Sequence, residues 1–330
     1  VTAWLGTLAL ALLAGGAFAA ATAAGVALAW PLLRARLRAS HPSVGATAAL
    51  VAAAAPIVLP AILVALCFAP GLLSLVGLHA DHCIQHPEHP HLCVVHPIAL
   101  LGASLAALLF AGGGAAIAAA VAGTLALARW RRRIAGLRLG ATGALAPDVR
   151  VVDSERPFSL TAAGRRPEIF VSTSLLAALS PEQLEAVVEH ERAHARRRDG
   201  VRVLLARALS LVHWPRTRRR LLADLSLFTE RACDEEAGGR LRDRLRVAEA
   251  IVAVERVLGA AAAPAHPALL AFGGSSVGER VAALLEPAPG LPSRRIRVVV
   301  VAALLPAAWW IADPLHHATE HLLGLLFGAR

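Results

Sequence analysis

EHERAHARRRDG, residues Glu189 to Gly200, sets the reading of the whole chain. His190 and His194 are four apart, so on an α-helix both imidazoles share a face and can reach one ion. Glu191 is turned one residue away, which suits a carboxylate that acts on a water beside the metal rather than on the metal itself. A catalytic zinc needs a third protein ligand and an open fourth position. The competing reading is a solvated helix whose Glu and Arg side chains pair at i,i+4. The flanking residues favour the metal. Ser180-Pro181-Glu182-Gln183 has the form of a capping box with proline at the first helical position. Leu184, Val187 and Val188 then give the helix one apolar face.

The third ligand is expected from a later helix. TERACDEEA, residues 229–237, offers Glu230, Asp234, Glu235 and Glu236. Glu230 and Asp234 are one turn apart, so one can ligate while the other accepts the free ring N–H of a ligand histidine. Asp199 is a further candidate for that accepting role. Cys233 reads as packing.

The rest of the chain is too apolar for an ordinary soluble domain. Of its 330 residues 57% are hydrophobic, and the mean hydropathy is +0.60. The net charge of +10 is carried by arginine, since the sequence has no lysine. These arginines cluster beside apolar runs, which points to the inner face of a membrane and not to direct nucleic-acid binding. Three uncharged runs, 1–33, about 46–78 and about 97–128, each exceed the roughly 20 residues that cross a bilayer. A fourth, from Val298, is shorter and carries Trp309 and Trp310 at one end. The first run lacks a basic leader and continues past AFA at 17–19, so a retained helix is expected rather than a cleaved signal.

Arginine placement sets the orientation. Basic clusters follow the first and third runs and precede the fourth, whereas the 79–96 loop has none. Positive-inside reasoning therefore puts the N-terminus, this loop and the C-terminal tail outside a bacterial cytoplasmic membrane, and residues 129–296 inside. The fold class expected is mainly α, with four transmembrane helices and a cytoplasmic zincin-like α+β metalloprotease domain. Its organisation is 1–128 for three spans, 129–296 for the domain, and 297–330 for the fourth span and a short tail. Within the domain, strands are expected in DVRVVD, PFSLTA and EIFVS. Helices are expected over about 201–214, 218–237 and 241–258, with a last short one in SSVGERVAALLEP.

HERAHARRRD, then LVHWP, then ERACDEE resembles the bacterial antirepressor membrane metallopeptidases, the family of the beta-lactam signal transducers. The resemblance implies that His190, His194 and Glu230 bind one Zn²⁺, that Glu191 is the general base, and that Asp234 and Asp199 support the ligands. It implies a protein or peptide substrate, such as a winged-helix repressor, cut in response to a signal. Only 313–330 follow the fourth span, so no penicillin-binding sensor domain is expected. The two alternatives are a membrane quality-control metalloprotease of heat-shock type and a non-catalytic membrane signalling module.

Two further expectations concern segments outside the motif. Metalloproteases of this kind hold substrate as an extended strand, and Ile169, Phe170 and Val171 in EIFVS are the candidate template, with a plain core strand as the alternative. In the outer loop, Cys83 and Cys93 are expected to form a disulfide in an oxidising compartment. The six histidines there, His79, His82, His86, His89, His91 and His96, suit a metal or proton sensor, against a plain polar loop.

Overall fold

A computed structural model describes residues 2–78, 92, 103–162, 167–260, 275–287, 290 and 314–322. Helices α1 (Thr2–Arg38) and α2 (Pro42–Leu75) pack along each other, joined by a tight turn at Ala39 to His41. Both are long and apolar enough to cross a membrane. Their apolar side chains mostly face outward: Leu28 is 78% exposed and Val51 61%. A core helix of a soluble protein would bury them. Helix α3 (Ala103–Leu139) covers the third apolar run but does not stop at its end. Residues 129–139, expected to open the domain, continue that helix as far as the first strand.

The sheet has four strands in the order β1-β2-β4-β3, with β1 (Ala141–Ala146), β2 (Val149–Val152), β3 (Ser159–Ala162) and β4 (Glu168–Ser172). β2, β3 and β4 fall in the three expected runs; β1, rich in glycine and alanine, carries little strand propensity and was not expected. β4 pairs parallel with β2 and antiparallel with β3. Alternation places Ile169 and Val171 on one face and Phe170 on the other. The first face packs on α5 (Pro181–Arg197) and α8 (Arg244–Ala260); the second meets Ile134 and Leu137 at the end of α3.

Helix α4 (Thr173–Ala178) leads into α5, which is started by the expected capping box: Ser180 accepts from the Gln183 N–H, and the Gln183 side chain accepts from that of Ser180. Such a cap contributes about 1 kcal/mol. Arg198 ends α5 in the left-handed region at φ 54°, and α6 (Asp199–Leu209) departs at once. A 3-10 turn over Ser210–Val212 leads to α7 (Pro215–Leu241). α7 passes through Gly238 and Gly239, where the sequence suggested a stop, and closes at Arg242 in the left-handed conformation. Gly238 is needed for packing: a Cβ there would meet the Arg244 side chain at 2.9 Å. Helix α9 (Ser275–Leu285) completes the domain, and residues 314–322 form a last helix, α10.

The domain shares a core with the long helices. Trp30, Ala46, Ala49 and Ala53 pack with Ala206, Leu221, Leu225 and Phe228. Gly45 permits this approach, because a Cβ there would lie 2.7 Å from the Phe228 ring. Buried Asp224 on α7 accepts from Trp30 Nε1 at 2.9 Å and from Arg34 at 2.6 Å. At the far end of α1 and α2, Leu10, Ala14, Cys67 and Leu92 cluster with Leu315 of α10. His316 is buried there, its Nδ1 2.5 Å from the Cys67 carbonyl. Cys67 is buried. The fourth apolar run, Cys83, Cys93 and the six loop histidines lie outside the described residues.

Candidate metal centre

α5 and α7 pack against each other, and this brings the two motifs together. His190 Nε2 and His194 Nε2 stand 3.1 Å apart, one helical turn from each other. Glu230 on α7 faces both: Oε2 is 3.4 Å from His190 Nε2, and Oε1 is 3.5 Å from His194 Nε2. A tetrahedral zinc with metal–ligand bonds near 2.0–2.1 Å has edges of about 3.3 Å, so the two imidazole nitrogens and the carboxylate across from them lie close enough to share one ion. The cluster is not sealed. The imidazoles keep 14% and 15% of their side-chain surface.

The supporting shell orients the rings. Asp199 Oδ2 lies 3.2 Å from His194 Nδ1, which directs the Nε2 lone pair into the cluster. The left-handed turn at Arg198 makes this possible, since it folds the first residue of α6 back against α5. Arg197 also contacts Asp199 at 3.2 Å. Burial alone would raise the Asp199 carboxyl; His194 and Arg197 hold it below its usual range. Cys233 Sγ lies 3.3 Å from His194 Nδ1 and donates to Asp199 at 3.2 Å. Burial pushes this thiol far up, so without a metal it is neutral and donates weakly to Asp199.

On the other ring, His190 Nδ1 lies 2.8 Å from Asp234 Oδ1, close enough to pair but off the line of a good hydrogen bond. Asp234 is itself gripped by Arg280 of α9, through Nε at 2.8 Å and Nη2 at 2.7 Å. Arg280 Nη1 reaches Glu230 at 3.2 Å as well. Against burial, these cations hold Asp234 well below the carboxylate range, and the two histidines with Arg280 lower Glu230. Burial alone would lower His190, but Asp234 and Glu230 together raise it to about 10 in the absence of a metal. The other two acids of the later motif turn elsewhere: Glu235 pairs with Arg244 and Glu236 with Arg196. Of the four carboxylates open to choice in the sequence, Glu230 and Asp234 are the two that meet the histidines.

Glu191 is buried, and its carboxylate faces the sheet. Ser159 donates to Oε1 at 2.8 Å, and Thr161 Oγ1 lies 2.7 Å from Oε2. Both belong to β3, an edge strand with no second partner among the described residues. Leu160 and Ala162 face the opposite side, into the α3 contact. β4, the expected substrate template, is therefore corrected. It is paired on both edges, and Ile169, Phe170 and Val171 are all fully buried, so it has nothing left to offer a substrate.

Arg192 is the charged residue that made the motif resemble a solvated helix. It points away from the cluster, donating to Asp148 at 2.8 and 2.9 Å and to Glu189 at 2.8 Å. Three participants were not anticipated: Ser159, Thr161 and Arg280. The alternation of hydroxyl and apolar residues in SLTA was a readable sign of two different faces. Arg280 had no such sign among so many arginines.

Two histidines a turn apart and a carboxylate from a second helix form a cluster of the kind that can hold one metal ion. Residues 140–273 match the profile of Peptidase family M48, whose members are zinc-dependent, and the cluster of His190, His194 and Glu230 can bind such an ion. The match runs from the start of the sheet past the end of α8; Arg280 lies beyond it. No curated protein and no solved structure matches the chain.

Proposed function

We propose that this chain is an integral-membrane zinc endopeptidase that cuts a cytoplasmic protein. The observation that carries the proposal is the 3.1 Å approach of His190 Nε2 to His194 Nε2 with Glu230 across from both. His190, His194 and Glu230 would hold the zinc ion, which would supply Lewis acidity toward a water and a scissile carbonyl. Asp199 and Asp234 keep the ring nitrogens aimed inward. Glu191 takes the proton of the attacking water and returns it to the leaving amine. Ser159 and Thr161 fix its carboxylate so that it does not rotate away. β3 presents an edge beside Glu191 that has no second partner among the described residues, and an extended substrate segment adds to that edge by main-chain hydrogen bonds.

The membrane topology rests on the ends of the helices. Leu10, Cys67, Leu92 and Leu315 gather at one end of α1 and α2, while the domain packs at the other. α9 belongs to the domain, yet α10 touches Cys67, fifteen residues along α2 from Ala52; that is about 22 Å at 1.5 Å per residue. Residues 291–313 link these two levels, which supports a fourth crossing. Arginine placement then sets the domain on the cytoplasmic side.

A transcriptional repressor is the substrate class supported by the resemblance of residues 190–236 to the antirepressor peptidases. The test is the purified full-length protein in lipid nanodiscs, with a repressor encoded beside its gene and an unfolded reporter as separate substrates. Cleavage of the repressor alone supports the antirepressor role; cleavage of the reporter alone supports quality control. Repressor cleavage that survives Glu191→Gln contradicts the mechanism.

A further inference from the structure

The α6–α7 hairpin has apolar side chains that the domain does not use. Leu204, Leu205, Leu211, Val212 and Trp214 are all exposed, Leu211 at 62% and Trp214 at 52%. They surround the apex, where α6 ends, the 3-10 turn passes and α7 begins.

The hairpin's hydrogen bonds show where this apex lies. Arg197 donates to Ser43 at 3.0 Å, Arg202 to Thr47 at 3.3 Å, and His213 Nε2 lies 3.0 Å from the Ala52 carbonyl. The chain therefore climbs beside α2 in step with it, rising about 14 Å between the Ser43 and Ala52 contacts at 1.5 Å per residue. α7 then descends beside α1, through Asp224 on Trp30 and Arg34 to Arg231 on the Arg38 carbonyl. Val51, next to Ala52, is the first large apolar residue that α2 leaves exposed, and Leu28 and Leu32 are exposed on α1 near Trp30. The apolar apex thus stands level with the beginning of the apolar surface of both long helices.

We infer that this hairpin is a membrane anchor, inserted into the inner leaflet at the boundary between headgroups and acyl chains. The inference rests on the proposal that α1 and α2 cross the bilayer. The charge pattern fits an anionic surface: Arg207, Arg216, Arg219 and Arg220 are exposed around the apex, with no acidic residue between Asp199 and Asp224. Arginine stems lie along apolar surface while their guanidinium groups reach lipid phosphates. Leu204, Leu205, Leu211, Val212 and Trp214 occupy the acyl boundary, the depth at which interfacial helices bury their apolar faces. His213 is buried between the apex and α2, with its Nε2 3.0 Å from the Ala52 carbonyl. One consequence concerns the site. Asp199, the partner of His194, is the first residue of α6, so the metal centre is held about one α6 length, roughly 16 Å, below the apex.

The test uses the full-length protein in liposomes whose lipids carry bromine on the acyl chains. The emission of Trp214 is isolated as the difference between wild type and Trp214→Phe. Ile62→Trp, added in the middle of α2, reports the span itself. The inference predicts that bromine removes most of the emission of both residues and that aqueous acrylamide reaches neither. Leu211→Trp, read by the same difference, should behave as Trp214 does. Acrylamide quenching of Trp214 without bromine quenching, while Ile62→Trp is quenched by bromine, overturns the anchor and leaves the spans standing. Shielding of Trp214 from both agents also overturns it, since another protein chain would then cover the apex. An Ile62→Trp that bromine does not quench overturns the spans and the anchor together.

Discussion

Arg280 grips Asp234 through two parallel hydrogen bonds of 2.8 and 2.7 Å, and Asp234 in turn lies 2.8 Å from the ring of His190. The pair is buried, so removing the cation leaves a carboxylate with neither solvent nor a full partner. Loss of one member of such a pair costs about 3–5 kcal/mol of stability. Loss of a partner behind a metal ligand typically weakens binding about 10–100-fold. Arg280→Gln is therefore expected to lower both the melting temperature and the zinc affinity, measured by thermal denaturation and by competition with a chromophoric chelator. Unchanged zinc affinity would show that α9 is packing and does not tune the site.

Ser159 and Thr161 bear on turnover rather than on metal. Each donates to the Glu191 carboxylate, and neither touches a proposed ligand. A single hydrogen bond of this kind is worth about 1 kcal/mol net, somewhat more to a charged group. The double variant Ser159→Ala with Thr161→Val is expected to lower kcat about tenfold or more at that magnitude. Zinc content should stay that of wild type and KM should change little. A rise in KM with kcat unchanged would instead assign β3 to substrate binding alone.

Metal uptake should depend on pH with a definite sign. Asp234 and Glu230 overcome burial and hold His190 protonated to about pH 10 when no metal is present. Zinc must displace that proton, so its apparent affinity rises with pH across the neutral range and falls as acid restores the imidazolium. In the metal-free protein the raised pKa means that His190 contributes stability fully below its ordinary value of 6.5. That contribution is lost as pH rises toward 10. Titration calorimetry in buffers of different ionisation enthalpy measures the protons released on zinc binding. Zinc binding without proton release would contradict the charge state assigned to His190.

The contact of Gly45 with Phe228 tests whether the domain is truly seated on the spans. Gly45→Val puts branched bulk where even a Cβ would lie 2.7 Å from the ring, and forced overpacking costs typically 1–3 kcal/mol. Phe228→Ala removes a fully buried ring, a loss of about 3–5 kcal/mol. If the two side chains compete for one space, the double variant is no less stable than Phe228→Ala alone. Additive losses in denaturant unfolding would place them apart.

Much of the site could be read from the chain because its residues are close in sequence and periodic. The i,i+4 pair, the capping box and the shared face of Glu230 and Asp234 follow from helical geometry, whereas Glu230 rather than Asp234 as the ligand is what the family resemblance implies. What could not be read depends on contacts far apart in the chain. Arg280 is 46 residues from Asp234, and Trp30 is 194 residues from Asp224. The template strand was misjudged for a related reason. EIFVS is the most strand-like run present, and that apolar character marks a central strand buried on both faces; the humbler SLTA forms the edge beside Glu191. The exposed apex of the α6–α7 hairpin was hidden too, because its periodicity is that of a helix packed in a soluble domain.

The central claim is that one zinc ion, held by His190, His194 and Glu230, lets Glu191 drive peptide hydrolysis. The most direct measurement is zinc content by elemental analysis beside peptide cleavage, on the wild-type chain, Glu191→Gln and Glu230→Gln in lipid nanodiscs. The account predicts one zinc per chain and cleavage in the wild type, one zinc without cleavage in Glu191→Gln, and loss of both in Glu230→Gln. A wild-type chain that cleaves peptide without bound zinc, or a Glu230→Gln chain that keeps both, would contradict it.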